Sequence, residues 1–476
     1  MTDPVPTDPV PADDVLAELR ALRAGDLPTH GGRTLAYVYD SALPGLDELA
    51  ASAHALAASV NGLDPTAFPS LLRLENDVVR TASRLLGGGE AAVGTVTSGG
   101  TESCLLAVVA ARDSRPDVER PSVVLPETAH AAFHKAAHYF GVRVVAVPVD
   151  PYTFRADPAA MAAAIDESTV LVVVSAPSYA HGVVDPVTEV AAAALERGVR
   201  CHVDACIGGW VLPHADDVPP FDFSVPGVTS VSVDLHKYAY CPKGTSVLLH
   251  ASADLRRPQY FASAAWPGYT MVNSTTQSTR SGGPLAAAWA VLRHIGDDGY
   301  RSLARQALAS AEVLREGISK IDGLRVLGEP SATLLAITAA RDDFDVFTVA
   351  DEMKARNWYV QPQFAHRSSP ANLHLTVTAA NAGHESELLA DLRASVEAAV
   401  EAGPVRVAPE VAAFVGGLEP DSLTPAEFAG LLAAAGMGGG DGVLPERMAA
   451  VNALLAVASP ALRERLLVEF LGALYS

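Results

Sequence analysis

Lys237 follows His236 in the run Ser232-Val233-Asp234-Leu235-His236-Lys237-Tyr238, downstream of a strand-like stretch ending in His202-Val203-Asp204-Ala205. A lysine amine condenses with an aldehyde to an imine once burial or a neighbouring cation lowers its pKa. The plain alternative is a surface lysine on a loop. The uncharged Tyr238-Ala239-Tyr240 flank argues against it. Lys237 is therefore the expected nucleophile. His236 can reach an anion beside it, and Lys243, just before Gly244, adds positive charge at the same mouth.

Three other groups suit one partner of Lys237. Ser98-Gly99-Gly100-Thr101 follows an apolar stretch and opens a helical run from Glu102. Glycines let backbone N–H groups approach an anion, and a helix N-terminus adds about half a positive charge. This reads as a phosphate cradle with hydroxyls from Ser98 and Thr101; a glycine turn with a threonine cap is the plainer reading. Asp204 closes a strand at its carboxyl end, where open α/β sheets bind ligands. A carboxylate there can keep a pyridine nitrogen protonated, or it can cap a loop. Ala205 is small enough for a flat ring to lie close. His130 can stack on such a ring and help move a proton, or make a structural bond at a helix start. His134 and His138 follow it at i+4 spacing, but no carboxylate or cysteine completes a ligand set, so no metal is expected. An aldehyde acceptor, a phosphate cradle and a carboxylate for a ring nitrogen together imply pyridoxal 5'-phosphate.

Strand-like runs at 123–125, 142–147, 170–174, 199–203, 230–233 and 246–249 alternate with alanine-rich helical stretches. That alternation predicts an α/β fold with a mostly parallel sheet covered on both faces. The expected division is an N-terminal tail and helical segment over 1–65, a large cofactor-binding domain over 66–300 and a small α/β domain with terminal helices over 301–476. Residues 1–12 read as a disordered tail and Ala12 to Arg23 as an amphipathic helix. A long helix is expected from Pro284 to Leu314, and Gly436 to Gly442 reads as a flexible run. The chain has 476 residues and a formal charge of −21, which argues against nucleic acid and anionic membranes as partners. The proline-rich start lacks the features of a secretory signal, and no apolar run reaches membrane-spanning length. The four cysteines show no metal spacing and read as reduced thiols, so a cytoplasmic enzyme acting on a small molecule is expected.

The motifs VTSGGTE (96–102), TAHAAFHKAA (128–137), SAPSYAHGVVDP (175–186), HVDACIGG (202–209) and GVTSVSVDLHKYAYCPKG (227–244) resemble the group II pyridoxal-phosphate-dependent decarboxylase family of fold type I, and within it the sphingosine-1-phosphate lyase branch. The resemblance runs from about Gly31 to the C-terminus. It implies that Lys237 carries the cofactor, Asp204 pairs with its ring nitrogen, His130 stacks on the ring, and Gly99, Gly100 and His236 lie near its phosphate. Tyr39 and Tyr179 match active-site tyrosines. A homodimer with shared sites is implied. Two departures bear on substrate. Asp64 stands where that branch has a phosphate-binding histidine, which argues against a phosphorylated substrate, although Lys243 and Arg280 remain available. His374 stands where aminotransferases and glutamate decarboxylases of this fold have a carboxylate-binding arginine. The expected reaction is cleavage at the amine-bearing carbon of an amine or amino acid, by retro-aldol chemistry or decarboxylation. An amino-acid decarboxylase proper and an aminotransferase are the alternatives.

Overall fold

The structure is a computed structural model that describes residues 8–424, 427–428, 430–431 and 445–475. Seven strands form the main sheet: β1 (Val93–Thr97), β2 (Ser122–Pro126), β3 (Arg143–Val147), β4 (Thr169–Ser175), β5 (Arg200–Asp204), β6 (Val228–Asp234) and β7 (Ser246–His250). Their order is β1-β7-β6-β5-β4-β2-β3. The run from β6 to β3 is parallel, and β7 is antiparallel to both its neighbours. Parallel strands buried on both faces need apolar side chains throughout. Val172, Val173 and Val174 of β4 are each fully buried, worth roughly 1.5–3 kcal/mol apiece relative to exposure.

Register decides where the chemistry lies. Ser175 pairs with Asp204, Asp204 with Ser232, and Asp234 with Ser246, which pairs in turn with Thr97. The carboxyl ends of β4, β5 and β6 thus meet at one edge, where the helix Gly100–Asp113 begins. A chain of hydroxyls fixes that helix to the sheet. Ser103 Oγ lies 2.7 Å from Thr97 Oγ1 and 2.9 Å from Ser246 Oγ, and Ser246 Oγ donates to the Val233 carbonyl at 3.1 Å.

The hairpin β8 (Phe261–Ser263) and β9 (Met271–Asn273) follows, then a helix Gly283–Ile318, longer than expected and interrupted where Gly296 adopts φ +65°. A second sheet, in the order β10-β11-β13-β12, holds β10 (Leu324–Val326), β11 (Leu334–Ala339), β12 (Gln361–Gln363) and β13 (Asn372–Thr376), with every pairing antiparallel. The C-terminal helices are 409–416, 449–457 and 460–474, and the second of them is tied to Asp351. Its carboxylate accepts from the Met448 and Ala449 N–H groups at 2.8 and 2.9 Å, capping a helix start. The glycine run at 436–442 and the first seven residues lie outside the described residues.

Candidate active site

A cavity of about 350 Å³ opens at that sheet edge, lined by the Ser98–Glu102 loop, Cys104, His130, Ser175, Pro177, Tyr179, Asp204, Cys206, Ile207, Asp234, His236 and Lys237. Its volume is that of a small-ligand site.

Lys237 sits in the turn after β6. The Tyr238 hydroxyl donates to the Val377 carbonyl at 2.7 Å, and the Tyr240 N–H closes the turn onto the Lys237 carbonyl at 2.9 Å. Lys237 Nζ lies 2.9 Å from Asp234 Oδ2, and the Asp234 side chain is almost completely buried. Here the structure departs from the expectation of a depressed lysine pKa. Burial does pull Lys237 down, but the Asp234 charge, helped by Tyr39, Cys206 and Asp204, outweighs it and holds the ammonium well above the ordinary lysine value. Burial likewise works to raise Asp234, yet Lys237 and His236 keep it below the usual carboxylate range. Asp234 was legible only as part of the motif; its position three residues before Lys237 was the available signal.

Asp204 Oδ1 accepts from the Cys206 N–H at 3.1 Å. Buried His202 links Ser230 and Ser232 behind it, at 2.9 and 3.1 Å, and burial lowers its pKa to about 4, so it bonds as a neutral ring. His130 Nδ1 accepts from the Ala132 N–H at 3.1 Å. The proton of the neutral ring therefore sits on Nε2, which makes His130 a donor.

The loop Ser98–Thr101 forms one wall of the cavity. Gly100 is required by close approach. A Cβ there would stand 2.7 Å from both Asp234 carboxylate oxygens and 2.8 Å from Cys206 Sγ. Glu102, which sequence reasoning passed over, shapes the loop. Its carboxylate accepts from the Ser98 N–H at 2.7 Å and the Thr276 N–H at 2.9 Å. Burial works to raise its pKa, but these bonds bring it below the usual value.

Other expected site residues lie elsewhere. Ala205 is fully buried and does not line the cavity; Cys206 does. His374 does not face the cavity, which corrects its assignment to substrate. It is fully buried, bonds the Tyr179 carbonyl through Nε2 at 2.8 Å and stacks on the Tyr179 ring at 4.3 Å. Its contacts with Tyr179 hold it inward, and burial lowers its pKa to about 4. It supports Tyr179, whose hydroxyl donates to Gln361 at 2.7 Å. Asp64 is exposed and folds back on Thr66 and Ala67, bonds that lower its pKa. It lines no part of this cavity. Arg280 donates to the Val96 carbonyl at 2.8 Å and pairs with Glu75 at 3.3 Å, lining a neighbouring cavity of about 580 Å³ that shares Ser98 with the first. Tyr39 and Lys243 line a third cavity, of about 520 Å³, that shares His236 with the first. Burial raises the Tyr39 pKa to about 12.

The residues present fit pyridoxal phosphate: an amine at Lys237, a carboxylate at Asp204, and a helix start with no room for a Cβ at Gly100. A mostly parallel sheet that brings these groups to its carboxyl edge defines a fold type I pyridoxal-phosphate protein. The chain belongs to the pyridoxal-dependent decarboxylase family, whose conserved-domain model matches residues 6–340. A second model, for a pyridoxal-dependent enzyme C-terminal putative HTH domain, matches residues 409–473. Among relatives, the sphingosine-1-phosphate lyase of Dictyostelium discoideum is 40% identical over 350 residues, 72% of this chain and 65% of its own length. The chain thus spans slightly less than two thirds of that relative. Sphingosine-1-phosphate lyase 1 of Rattus norvegicus is 36% identical over 401 residues, 82% of this chain and 69% of its own. A solved Burkholderia pseudomallei sphingosine-1-phosphate lyase superposes with a TM-score of 0.79 at 36% identity, covering 84% of this chain and 94% of that one. Lactobacillus brevis glutamate decarboxylase shares the fold, with a TM-score of 0.75 at 17% identity over 86% of this chain and 96% of that one.

Proposed function

We propose that this chain is a pyridoxal-phosphate-dependent lyase that cleaves the carbon–carbon bond between an amine-bearing carbon and a neighbouring hydroxyl-bearing carbon, releasing an aldehyde. The observation that carries this reading is the convergence of Lys237, Asp234, Asp204 and His130 on one cavity, in a chain 36–40% identical to proteins named as such lyases. When bound, pyridoxal phosphate supplies an electron sink for the pair left by the broken bond.

The protein's part is binding and proton handling. Lys237 would hold the cofactor, and Asp204 would face its ring nitrogen with the oxygen opposite the Cys206 bond. Ser98, Gly99, Gly100, Thr101 and His236 would surround its phosphate. His130 Nε2 donates, so it orients an oxygen rather than taking a proton. That leaves Lys237, backed by Asp234 at 2.9 Å, to take the hydroxyl proton in its uncharged form as the aldehyde carbonyl forms and to return it to the amine-bearing carbon once the bond is broken.

Two observations favour aldehyde release over decarboxylation. His374 is turned away from the cavity, and Arg367, in the segment before β13, is paired with Glu127. Neither offers the two-pronged grip of an unpaired arginine. An anionic headgroup would instead meet Lys243. The residue is exposed, and its Nζ lies 2.8 Å from the Tyr37 carbonyl and 4.9 Å from the Tyr39 ring centre. Burial of the ammonium, with Lys237 nearby, lowers its pKa to about 8.

The test of the reaction is product analysis. Incubation with 2-amino-3-hydroxy phosphates should release an aldehyde and no carbon dioxide. Carbon dioxide from amino acids, with no aldehyde from amino alcohols, would make the chain a decarboxylase.

Lys243 gives a second expectation. A phosphate monoester is already doubly charged well below pH 8, because its second pKa is about 6. Loss of binding above that point must therefore come from the protein. KM should rise several-fold between about pH 7 and about pH 9 as Lys243 loses its proton. Lys243→Arg, whose guanidinium stays charged, should flatten the profile. A KM that does not move, or moves alike in both proteins, removes Lys243 from headgroup binding.

Homodimer formation is part of this reading. The helix Ala12–Leu22 buries none of its residues within one chain and exposes Val15, Leu16, Leu19 and Leu22, an apolar stripe suited to a second copy. A cytoplasmic site of action is supported by four free, buried cysteines. Among the described residues no helix is long and apolar enough to cross a membrane. Residues 409–473 carry eight acidic and three basic side chains, a balance that opposes contact with a phosphate backbone. We assign these helices to packing against the small sheet and its helices.

A further inference from the structure

Cys104 is separated from Asp204 and Cys206 by 100 residues or more, yet all three line the cofactor cavity. Cys104 lies one turn into the helix that starts at Gly100, and Cys206 lies two residues beyond the end of β5. Their ligand atoms, two sulfurs and a carboxylate oxygen, fall within 4.8 Å of one another, and all three residues are buried. Sulfurs bound to one tetrahedral zinc at about 2.3 Å lie about 3.8 Å apart, so small side-chain rotations suffice to close the set. Backbone and side-chain bonds already orient it. The Cys206 N–H donates to Asp204 Oδ1 at 3.1 Å, and the Cys206 thiol lies 3.3 Å from Ser232 Oγ.

We propose that Cys104, Asp204 and Cys206 form a binding site for a thiophilic divalent cation of the zinc and cadmium class, filled only when pyridoxal phosphate is absent. Two thiolates and a carboxylate are a donor set such ions select, and the open cavity leaves the fourth position to water. Binding releases one proton from each thiol to solvent and involves no oxidation. The exclusion rests on the cofactor assignment above. The Asp204 carboxylate that would face the ring nitrogen is the one that would ligate the ion. A cation held there would thus keep the cofactor-free chain from loading.

The test uses the full chain freed of cofactor with hydroxylamine and titrated with Cd²⁺, following sulfur-to-cadmium absorption in the ultraviolet. One equivalent per chain is expected. The absorption should vanish in Cys104→Ser and in Cys104→Ala, persist in Cys201→Ser, and disappear as added pyridoxal phosphate displaces the ion. Uptake that is not stoichiometric in a chain that still melts cooperatively, or that both Cys104 variants leave unchanged, overturns the site. An ion that remains bound while the cofactor loads overturns the exclusion. Cys104-dependent uptake in a chain that never takes up pyridoxal phosphate would uphold the metal site and sink the cofactor reading instead.

Discussion

Lys237→Ala is expected to abolish the visible absorbance of the cofactor-loaded protein and to lower kcat/KM by roughly 10³-fold or more, the scale lost when a nucleophile that works with other groups is removed. Two losses are combined in that variant. The amine that would hold the cofactor disappears, and Asp234 is left almost fully buried without the ammonium now 2.9 Å away. An uncompensated buried carboxylate raises its own pKa or destabilises the site. Lys237→Arg separates the two effects. Its guanidinium keeps a positive charge against Asp234 but stays protonated and cannot condense with an aldehyde. The arginine variant should melt close to the parent, hold pyridoxal phosphate without the lysine-bound spectrum, and remain inactive. The alanine variant should melt lower and bind the cofactor more weakly. Visible absorbance during borohydride treatment, followed by mass analysis of the peptide containing residue 237, reads the attachment directly. Attachment that survives in either variant would move the nucleophile to another lysine.

The site was legible where its chemistry is local in sequence. Lys237 with His236, the Ser98–Thr101 loop and Asp204 each occupy a short run with its own strand or helix boundary, and strand alternation places those boundaries at one sheet edge. What a single run does not carry is which way a side chain turns, or what arrives from elsewhere. His374 lies on β13 at a position that family resemblance links to substrate, but pairing with Ala336 and Gln361 and stacking on Tyr179 turn it into the interior. Asp64 is singled out by family position and charge and Arg280 by its charge; the chain uses one to bond Thr66 and the other to bridge Glu75 and the Val96 carbonyl. Ala205 and Cys206 differ by one residue, and only the turn after β5 decides which of them lines the cavity. Cys104 could not be tied to Cys206 by any spacing rule, because four strands and three helices separate them. The lysine pKa was misjudged for the same reason. Burial is readable from apolar neighbours, whereas the approach of Asp234 to Lys237 depends on how the turn after β6 folds.

That approach makes a pH-dependent prediction for Asp234→Asn, measured on cofactor-free protein so that Lys237 is a free amine. In the parent, Lys237 titrates above its ordinary value, so its contribution to stability is complete below about pH 10.5 and is lost only as pH rises through the folded pKa. Asp234 titrates below the ordinary carboxylate value, so its contribution is present above about pH 4 and is lost as pH falls through the folded pKa. Between those limits the pair adds no slope. The asparagine keeps the shape and an acceptor oxygen but removes the charge. Burial, which already pulls Lys237 down, then loses its main opponent, and the folded pKa drops toward or below the unfolded one. A lysine depressed in the folded state destabilises at pH values below its unfolded pKa, increasingly so as pH falls toward the folded value. The variant should therefore lose on the order of 3 kcal/mol at neutral pH, as broken buried pairs do, and recover part of it as pH is raised toward about 9.5. Thermal melts of both proteins at neutral and alkaline pH test this. Parallel pH dependences in the two proteins would mean that Asp234 does not set the charge of Lys237, and a Tm unchanged at neutral pH would mean that the pair contributes nothing to the fold.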